Sequence, residues 1–540
     1  MNDADGSSWE SGDEKGVYFH KKAYASTPIP AFSGCRSLLP DPVLDSQPRW
    51  IETYWKAWEV AFRNFNEPSP GSPLVSSFID AAFNENIFLW DSCFMTMFCD
   101  VAAPLVPGIS TLDNFYCTQH EDGEICREIN REKGVDFAQW QNREDKPLFS
   151  RWGFTLPKSI APAQVEYLGR TVPEPNPRMT LDGLNHPLMA WAELEHFRWT
   201  GDTDRLRHVW EPLLRFYRAL QKYLRQGNGL YMTDWASMDN SPRNRFLSGG
   251  GTGVDISAEM VLFAQQLSLI ASILGKVTEQ KDLEGEAGEL AARINQLMWS
   301  PERRFYFDLT SGGVQAPVKT IAAYWTLLAG VASTEQAECL VAELRNPRTF
   351  GRLNPVPTCA ADERGYKTFG GYWKGAVWAP TNTMVIRGLE KYGHHELARE
   401  IAMKHIGLVS DVCADTGTIW ENYAPDKAKP GRIFRRMQVR KDFVGWSGIG
   451  PILYLLEHAI GLRPSAPENL LTWNLVSEDR CGCRKFLFNG LAITLVAERV
   501  GVGPRRAIAI DADGPFELVL RWKGIETKQH IAAGHTDLGV

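Results

Sequence analysis

No run of about 18 consecutive apolar residues occurs in the 540-residue chain, so no transmembrane helix is expected. The 58 Lys and Arg never gather into a long run and the net charge is −7, which disfavours a nucleic-acid or anionic-membrane partner. The acidic, polar stretch Met1–Lys15 lacks a basic region followed by an apolar one, as a signal peptide requires. No N-x-[ST] sequon is present. The expectation is a cytoplasmic protein. Ten cysteines include no C-x-x-C pair, and Cys481 and Cys483 have no second pair to complete a zinc site. They read as buried, reduced thiols. The 11 His form neither H-x-x-x-H nor H-E-x-x-H, so neither metal nor cofactor is expected. His394-His395 reads as a surface pair at a helix end. With 44% hydrophobic and 23% charged residues, wholesale disorder is excluded. What the chain has in excess is tryptophan, 19 in all, within 11% aromatics. Large flat rings fill cores, and they also make platforms for the C–H faces of sugars.

From about Trp50 to Gly461 the apolar pattern is helical. Leu206, Val209, Trp210, Leu213, Leu214, Tyr217, Leu220 and Leu224 follow a 3.6 period, with Asp202 or Thr203 as N-cap. Ile256–Leu274 repeats the pattern, as do the stretches 187–199, 286–297, 334–344, 383–392 and 452–460. Roughly 410 residues shared among twelve helices gives about 34 each with its loop, which permits a closed ring of helical hairpins. From about Leu470 the period falls to two: Phe516, Leu518, Leu520 and Trp522 alternate with Glu517, Val519, Arg521 and Lys523. The division expected is an acidic tail and lead-in over 1–45, a helical catalytic domain over 46–465, and a small antiparallel β-domain over 466–540. Gly249–Gly253 lacks the spacing of a phosphate loop and reads as a flexible loop, a candidate lid.

Six clusters mix Trp, carboxylates, amides and Gly in loops or helix ends. They are Phe88–Ser92; Leu112–Tyr116 running on to Gln119 and Asp122–Glu128; Asp234–Arg243; Gly371–Trp378; Thr418–Tyr423; and Phe443–Gly448. Such mixtures do not suit an apolar core. They suit a pocket that stacks a sugar ring and bonds its hydroxyls. Glycoside cleavage needs two carboxyl groups flanking the scissile bond, and Asp239 and Glu421 come from two different loops. Each also has a plainer reading. Asp239 before Asn-Ser-Pro could be a turn, Glu421 a surface residue, Trp90 core and Asp91 an N-cap.

Taken in order, these clusters resemble those of the mannosylglycerate hydrolase-like glycosidases, related to glycoside hydrolase family 63 and more distantly to trehalases. The resemblance covers about Asn64 to Leu462. It rests on W-D-S at Trp90–Ser92, L-D-N-F-Y, D-G-x-I-x-R-E, M-D-N-S-P-R at Met238–Arg243, Y-W-K-G-x-V-W at Tyr372–Trp378, W-E-N-Y at Trp420–Tyr423 and G-W-S-G at Gly445–Gly448. It implies a mainly α fold, an (α/α)6 toroid barrel with its site at the loop-rich mouth, and inversion of an α-glycoside without metal. By the same resemblance Asp239 is the general acid and Glu421 the general base. Trp90 and Asp91 hold the sugar, and Gln119, Trp373, Lys374, Trp378, Tyr423 and Trp446 form further subsite wall. Relatives usually carry Arg where Lys374 stands, and Lys cannot make the same planar two-pronged contact. The partner implied is a small carbohydrate. A sugar epimerase or isomerase on the same barrel would need His bases at the mouth, and the clusters hold almost none beyond the nearby His120 and His186. A non-catalytic sugar-binding protein would keep the Trp clusters without needing both carboxyls. Which sugar and aglycone, and the oligomeric state, are not legible.

Overall fold

Apolar residues at a 3.6 period produce helices where they were expected, in a computed structural model. It describes residues 28–540 apart from 73, 84–85, 120–122, 126, 132–185, 234–237, 248–249, 502 and 504. The acidic tail, His120, Asp122, Cys126, Asp234–Ser237 and Gly249 lie outside the described residues. Thr203–Leu224 forms with Asp202 as N-cap, its carboxylate accepting from Arg205 N at 2.9 Å. Val254–Ile273 is long and apolar enough to cross a membrane by composition, yet 78% of its apolar window is buried inside the protein. It is a core helix.

Six helical segments touch in a closed order. Leu89–Cys99 packs on Met189–Thr200, that on Val254–Ile273, that on the short Trp325–Leu328 helix, that on Ala379–Lys391, that on Ile449–Ile460, and the last on Leu89–Cys99 again. Two of these inner helices are covered on all sides. Every residue of Leu89–Cys99 and of Ile449–Ile460 is buried. Outer helices such as Val277–Met298 bury one stripe only. His395–Thr416, 22 residues long, escapes the periodicity search because Ala, His, Ser and Cys fill much of its buried face. His394 and His395 do stand at its start.

The period-two tail forms two sheets. One has five strands in the order Asp41–Leu44, Cys481–Phe488, Leu491–Arg499, Arg506–Ala512 and Gly534–Gly539. The other has four, Leu462–Ser465, Leu470–Asn474, Phe516–Trp522 and Ile525–Ile531. Phe516, Leu518, Leu520 and Trp522 point inward as their alternation requires. Two expectations are corrected. The pairing is not wholly antiparallel, since Leu470–Asn474 runs parallel to its partner strand, Leu470 facing Glu517 and Asn474 facing Arg521. The lead-in is no mere tail either: Asp41–Leu44 pairs with Cys481–Arg484 and completes the five-stranded sheet.

A buried ionic cluster joins ring and sheets. Arg198 Nη2 lies 2.6 Å and Arg387 Nη2 2.8 Å from opposite oxygens of Glu457, and Arg463, on strand Leu462–Ser465, pairs with Glu390. Burial would raise the Glu457 carboxyl, but Arg387, Arg463 and Arg198 outweigh it and hold the group well below the usual range.

The expected lid is also corrected where it is described. Gly251 N donates to Leu247 O at 2.8 Å, and Thr252 and Leu309 exchange two backbone bonds of 2.9 Å. A Cβ at Gly251 would meet Leu247 Cα and Leu309 O at 2.7 Å. Residues 250–253 are a tightly packed crossing.

Candidate active site

Three of the six clusters meet at Glu421. The Thr418–Tyr423 loop leaves the His395–Thr416 helix and is held by bridges from Trp420 to Lys441 and from Tyr423 to Val377. Glu421 N donates to Arg440 O at 3.0 Å. Its Oε1 accepts from Tyr372 Oη at 2.8 Å and its Oε2 from Arg440 N at 3.2 Å. Its carbonyl accepts from Ser447 Oγ at 3.1 Å and from Trp446 Nε1 at 3.4 Å. A side chain 2% exposed is thus clamped at every polar atom. Burial pushes the carboxyl up to about 7, against the pull of the Tyr372 hydroxyl and Arg440, and with a push from the Asp239 charge.

Asp239 sits in the turn that begins M-D-N-S-P-R. Its neighbour Asn240 clips that turn to Y-W-K-G, Nδ2 donating to Gly371 O at 3.1 Å and Oδ1 accepting from Trp373 N at 3.0 Å. At the far end Arg243 is fully buried, with Asp255 Oδ2 at 2.7 Å and Asp308 Oδ1 at 3.3 Å. Asp239 offers surface to solvent yet has many protein atoms around its carboxyl. That partial desolvation raises its carboxyl to about 6, opposed by Arg127. Its charge acts on Glu421, on Tyr372 and on Glu128. Removing Arg243 would leave two buried carboxylates facing each other. Arg243→Met is therefore expected to lower stability by about 3–5 kcal/mol, read from the denaturant midpoint, and to release the Asp239 turn. An unchanged midpoint would show that the cluster does not hold this turn.

An aromatic wall stands beside the carboxyls. Trp90 lies 6.0 Å from Trp373, 5.2 Å from Trp446 and 4.3 Å from the His186 ring, centroid to centroid. Trp373 and Trp378 stack at 4.3 Å and 6°. Asp91 falls in the first turn of Leu89–Cys99, whose N-cap is Phe88, so the N-cap reading is corrected. It is 4% exposed, and burial, with the charges of Glu421 and Glu128 against Arg127, holds its carboxyl well above the usual range. Lys374 is half-buried, one residue beyond Trp373 in the same turn.

Three expected wall residues stand behind the wall. Gln119 is fully buried and its Nε2 donates to Gly123 O at 3.0 Å and Pro212 O at 2.8 Å, bolting its loop to the Thr203–Leu224 helix. Tyr423 packs against His405 at 6.4 Å and its hydroxyl accepts from Trp420 N at 3.2 Å. Trp378 is fully buried, as is Trp373, against which it stacks. Each has a polar or aromatic duty inside the protein.

Four further residues, none assigned to the site from the sequence, belong to the constellation. Tyr372 reaches Glu421 only because it adopts φ +64°, a left-handed value that costs a bulky side chain of order 1–3 kcal/mol. Arg127 and Glu128 stand at the start of strand Glu128–Asn130, which pairs with Asn86–Phe88 just ahead of Trp90. Leu89 N donates to Arg127 O at 2.8 Å, and Glu128 Oε2 accepts from Asn86 Nδ2 at 2.9 Å. His186 bonds Glu259 through Nδ1 at 2.7 Å while stacking on Trp90. Tyr372, Arg127 and Glu128 stood in quoted motifs and His186 near them, but only the fold brings them to Glu421, Asp91 and Trp90. Among the described residues no three His, Cys, Asp or Glu side chains are grouped as metal ligands would be.

Residues 170–443 match the family described as the mannosylglycerate hydrolase MGH1-like glycoside hydrolase domain. An uncharacterized protein of Borreliella burgdorferi is 27% identical over 326 residues, covering 59% of this chain and 68% of that protein. Mannosylglycerate hydrolase MGH1 of Selaginella moellendorffii is 28% identical over 175 residues, covering 30% of this chain and 32% of that protein. The match thus spans about a third of that curated hydrolase. Among solved structures, the GH63 mannosylglycerate hydrolase of Thermus thermophilus in complex with glucose is similar with a TM-score of 0.54 at 20% identity, covering 74% of this chain and 98% of that one. That likeness is one of fold.

Proposed function

The chain belongs to the mannosylglycerate hydrolase MGH1-like glycoside hydrolases, and we propose that it is an (α/α)6-toroid enzyme that hydrolyses a small α-glycoside, of glucoside or mannoside type, with inversion. The closed order of inner helices supports the toroid. The observation that carries the activity is the clamped Glu421 carboxyl under the field of Asp239, beside Trp90, Trp373 and Trp446.

In the proposed reaction Asp239 gives its proton to the glycosidic oxygen as the bond to the anomeric carbon breaks. Glu421 takes a proton from a water whose oxygen attacks that carbon from the opposite face. The products are a free alcohol and a sugar of inverted anomeric configuration. Asp239 ends ionised and Glu421 protonated, and exchange with solvent restores both. The water requires carboxyls about 6.5–9.5 Å apart. Trp90 and Trp446 would stack the ring with Trp373 packed behind them, and Asp91 and Lys374 would bond its hydroxyls. Lys374 in place of Arg offers a point charge rather than a fork, which would loosen discrimination at one hydroxyl.

In the free enzyme the acid stands at about 6 and the base at about 7, the reverse of what the reaction needs. The active form is then a minor one in the free enzyme, with the Tyr372 and Arg440 bonds already drawing Glu421 down to about 7. Both Glu421 oxygens accept from donors, the arrangement of an ionised base. A sugar over Asp239 displaces water and raises that carboxyl further. The acid must be protonated and the base ionised, so kcat/KM should trace a bell centred near about pH 6.5, between these values. The Tyr372 hydroxyl pulls Glu421 down. Tyr372→Phe should raise Glu421 by about one unit, moving the optimum upward and lowering the rate on its acid side. An optimum that stays put would leave Tyr372 a packing role alone.

The direct test is hydrolysis followed by NMR on α- and β-linked glucosides, mannosides and galactosides, glycosyl-glycerates included. A β-sugar appearing first from an α-glycoside supports the reading. An α-sugar appearing first sinks inversion, and binding without hydrolysis across the panel favours a sugar-binding protein.

A further inference from the structure

Spaced rather than consecutive, seven Lys and Arg stand between Lys427 and Lys441, with no Asp or Glu among them. The fold makes a hairpin of their centre. Strands Arg432–Phe434 and Met437–Gln438 pair antiparallel, and Arg435 and Arg436 form the turn. Arg432 Nη1 donates to Arg435 O at 2.8 Å and closes that turn. Phe434 faces Met437 directly in the register, so the two side chains leave the same side of the hairpin. They are 68% and 53% exposed, and Phe434 is the most exposed large apolar side chain among the described residues. Arg432, Arg435, Arg436, Arg440 and Lys441 are exposed as well. Lys429 pairs with Asp415, whereas Arg435 and Arg436 pair with no carboxylate among the described residues. The root of the hairpin is fixed. Gly431 N donates to Asn422 O at 2.9 Å, Arg432 N to Phe369 O at 3.1 Å and Tyr372 N to Arg432 O at 3.2 Å.

We propose that this hairpin docks the protein on an anionic lipid surface. Such a surface sets phosphates over an apolar interior, and the hairpin sets guanidiniums beside an apolar pair. A soluble polyanion would meet the cations and leave Phe434 and Met437 in water. An apolar protein groove would cover the pair and desolvate the arginines without a counter-charge. The chain as a whole carries −7. Ions screen charges beyond about 8 Å at physiological strength, so a surface meets the local cations rather than the net charge. Arg440, three residues beyond Met437, donates its N–H to Glu421 Oε2. At about 3.3 Å per residue the docked tip stands about 10 Å from that bond, which sets the lipid surface beside the Glu421 loop.

The test is co-sedimentation of the full chain with vesicles of phosphatidylcholine, alone or with about 30% phosphatidylglycerol. Saturable binding to the anionic vesicles is expected, with pure phosphatidylcholine at least about 25-fold weaker. Raising NaCl to about 1 M, where the Debye length falls to about 3 Å, should release the protein. Arg435→Gln with Arg436→Gln should weaken binding about 25-fold, about fivefold for each charge. Phe434→Ser with Met437→Ser keeps every charge and should weaken it by at least about tenfold. All four side chains are exposed, so both variants should fold, which circular dichroism checks. No binding to anionic vesicles, equal binding to both vesicle types, or undiminished binding after Phe434→Ser with Met437→Ser would each overturn the proposal. The last, with heparin bound as tightly as the vesicles, would identify a polyanion site instead. None of these outcomes depends on hydrolysis of a glycoside, so the glycosidase reading stands or falls by its own test.

Discussion

Glu421→Gln folds and loses about 10³–10⁴ of kcat on a good substrate, the upper range for a general base that must make water nucleophilic. The fold survives because the amide keeps the shape of the carboxylate, and its oxygen still accepts one of the two donors, Tyr372 Oη or Arg440 N. KM changes little, because the ground state does not need the proton to move. The sharper form of the test uses Glu421→Ala with added azide. A small anion can enter the vacated space and attack the anomeric carbon without deprotonation. If Glu421 is the base, azide restores turnover and yields a β-glycosyl azide from an α-glycoside. A Glu421→Gln enzyme with wild-type kcat removes the assignment altogether.

Asp239→Asn is expected to lose about 10²–10⁴ of kcat on a natural alkyl glycoside. The loss should shrink towards unity on a dinitrophenyl glycoside, whose leaving oxygen departs without a proton. That dependence on the leaving group separates an acid from a base: Glu421→Gln should be slow on both substrates. The alkaline limb of the pH profile should also vanish in Asp239→Asn, because the carboxyl raised to about 6 no longer titrates. An equal loss on both substrates would return Asp239 to the role of a turn residue. The Asn240 clip to Gly371 and Trp373 is untouched by this substitution, so the turn itself should persist.

The sequence is most informative where one periodicity governs a whole element. Phe516–Trp522 and Thr203–Leu224 are read correctly because each buries one face. The inner helix Leu89–Cys99 has no apolar stripe to find, since it is buried on all sides, and His395–Thr416 buries small and polar residues as readily as large ones. The parallel pairing of Leu470–Asn474 depends on a strand about 46 residues later, and no local pattern encodes it. For the site, the motifs marked loops that the fold brings together, but not the contacts between them. Tyr372 and Glu421 are 49 residues apart, and their bond exists only through a left-handed turn at Tyr372. The family resemblance set Gln119 in the subsite wall, yet the fold buries it and its Nε2 donates to two backbone carbonyls.

The strand Asp41–Leu44 has a consequence for how the chain is made. Asp41 precedes its partner Arg484 by 443 residues. A ribosome adding about 5–20 residues per second leaves that strand unmatched for about 20 to 90 s. Val43 and Leu44, 5% and 4% exposed once paired, stay uncovered for that interval while the helical ring is being synthesised. A message broken before Cys481 yields a chain with a permanently bare apolar strand, a target for chaperones and for aggregation.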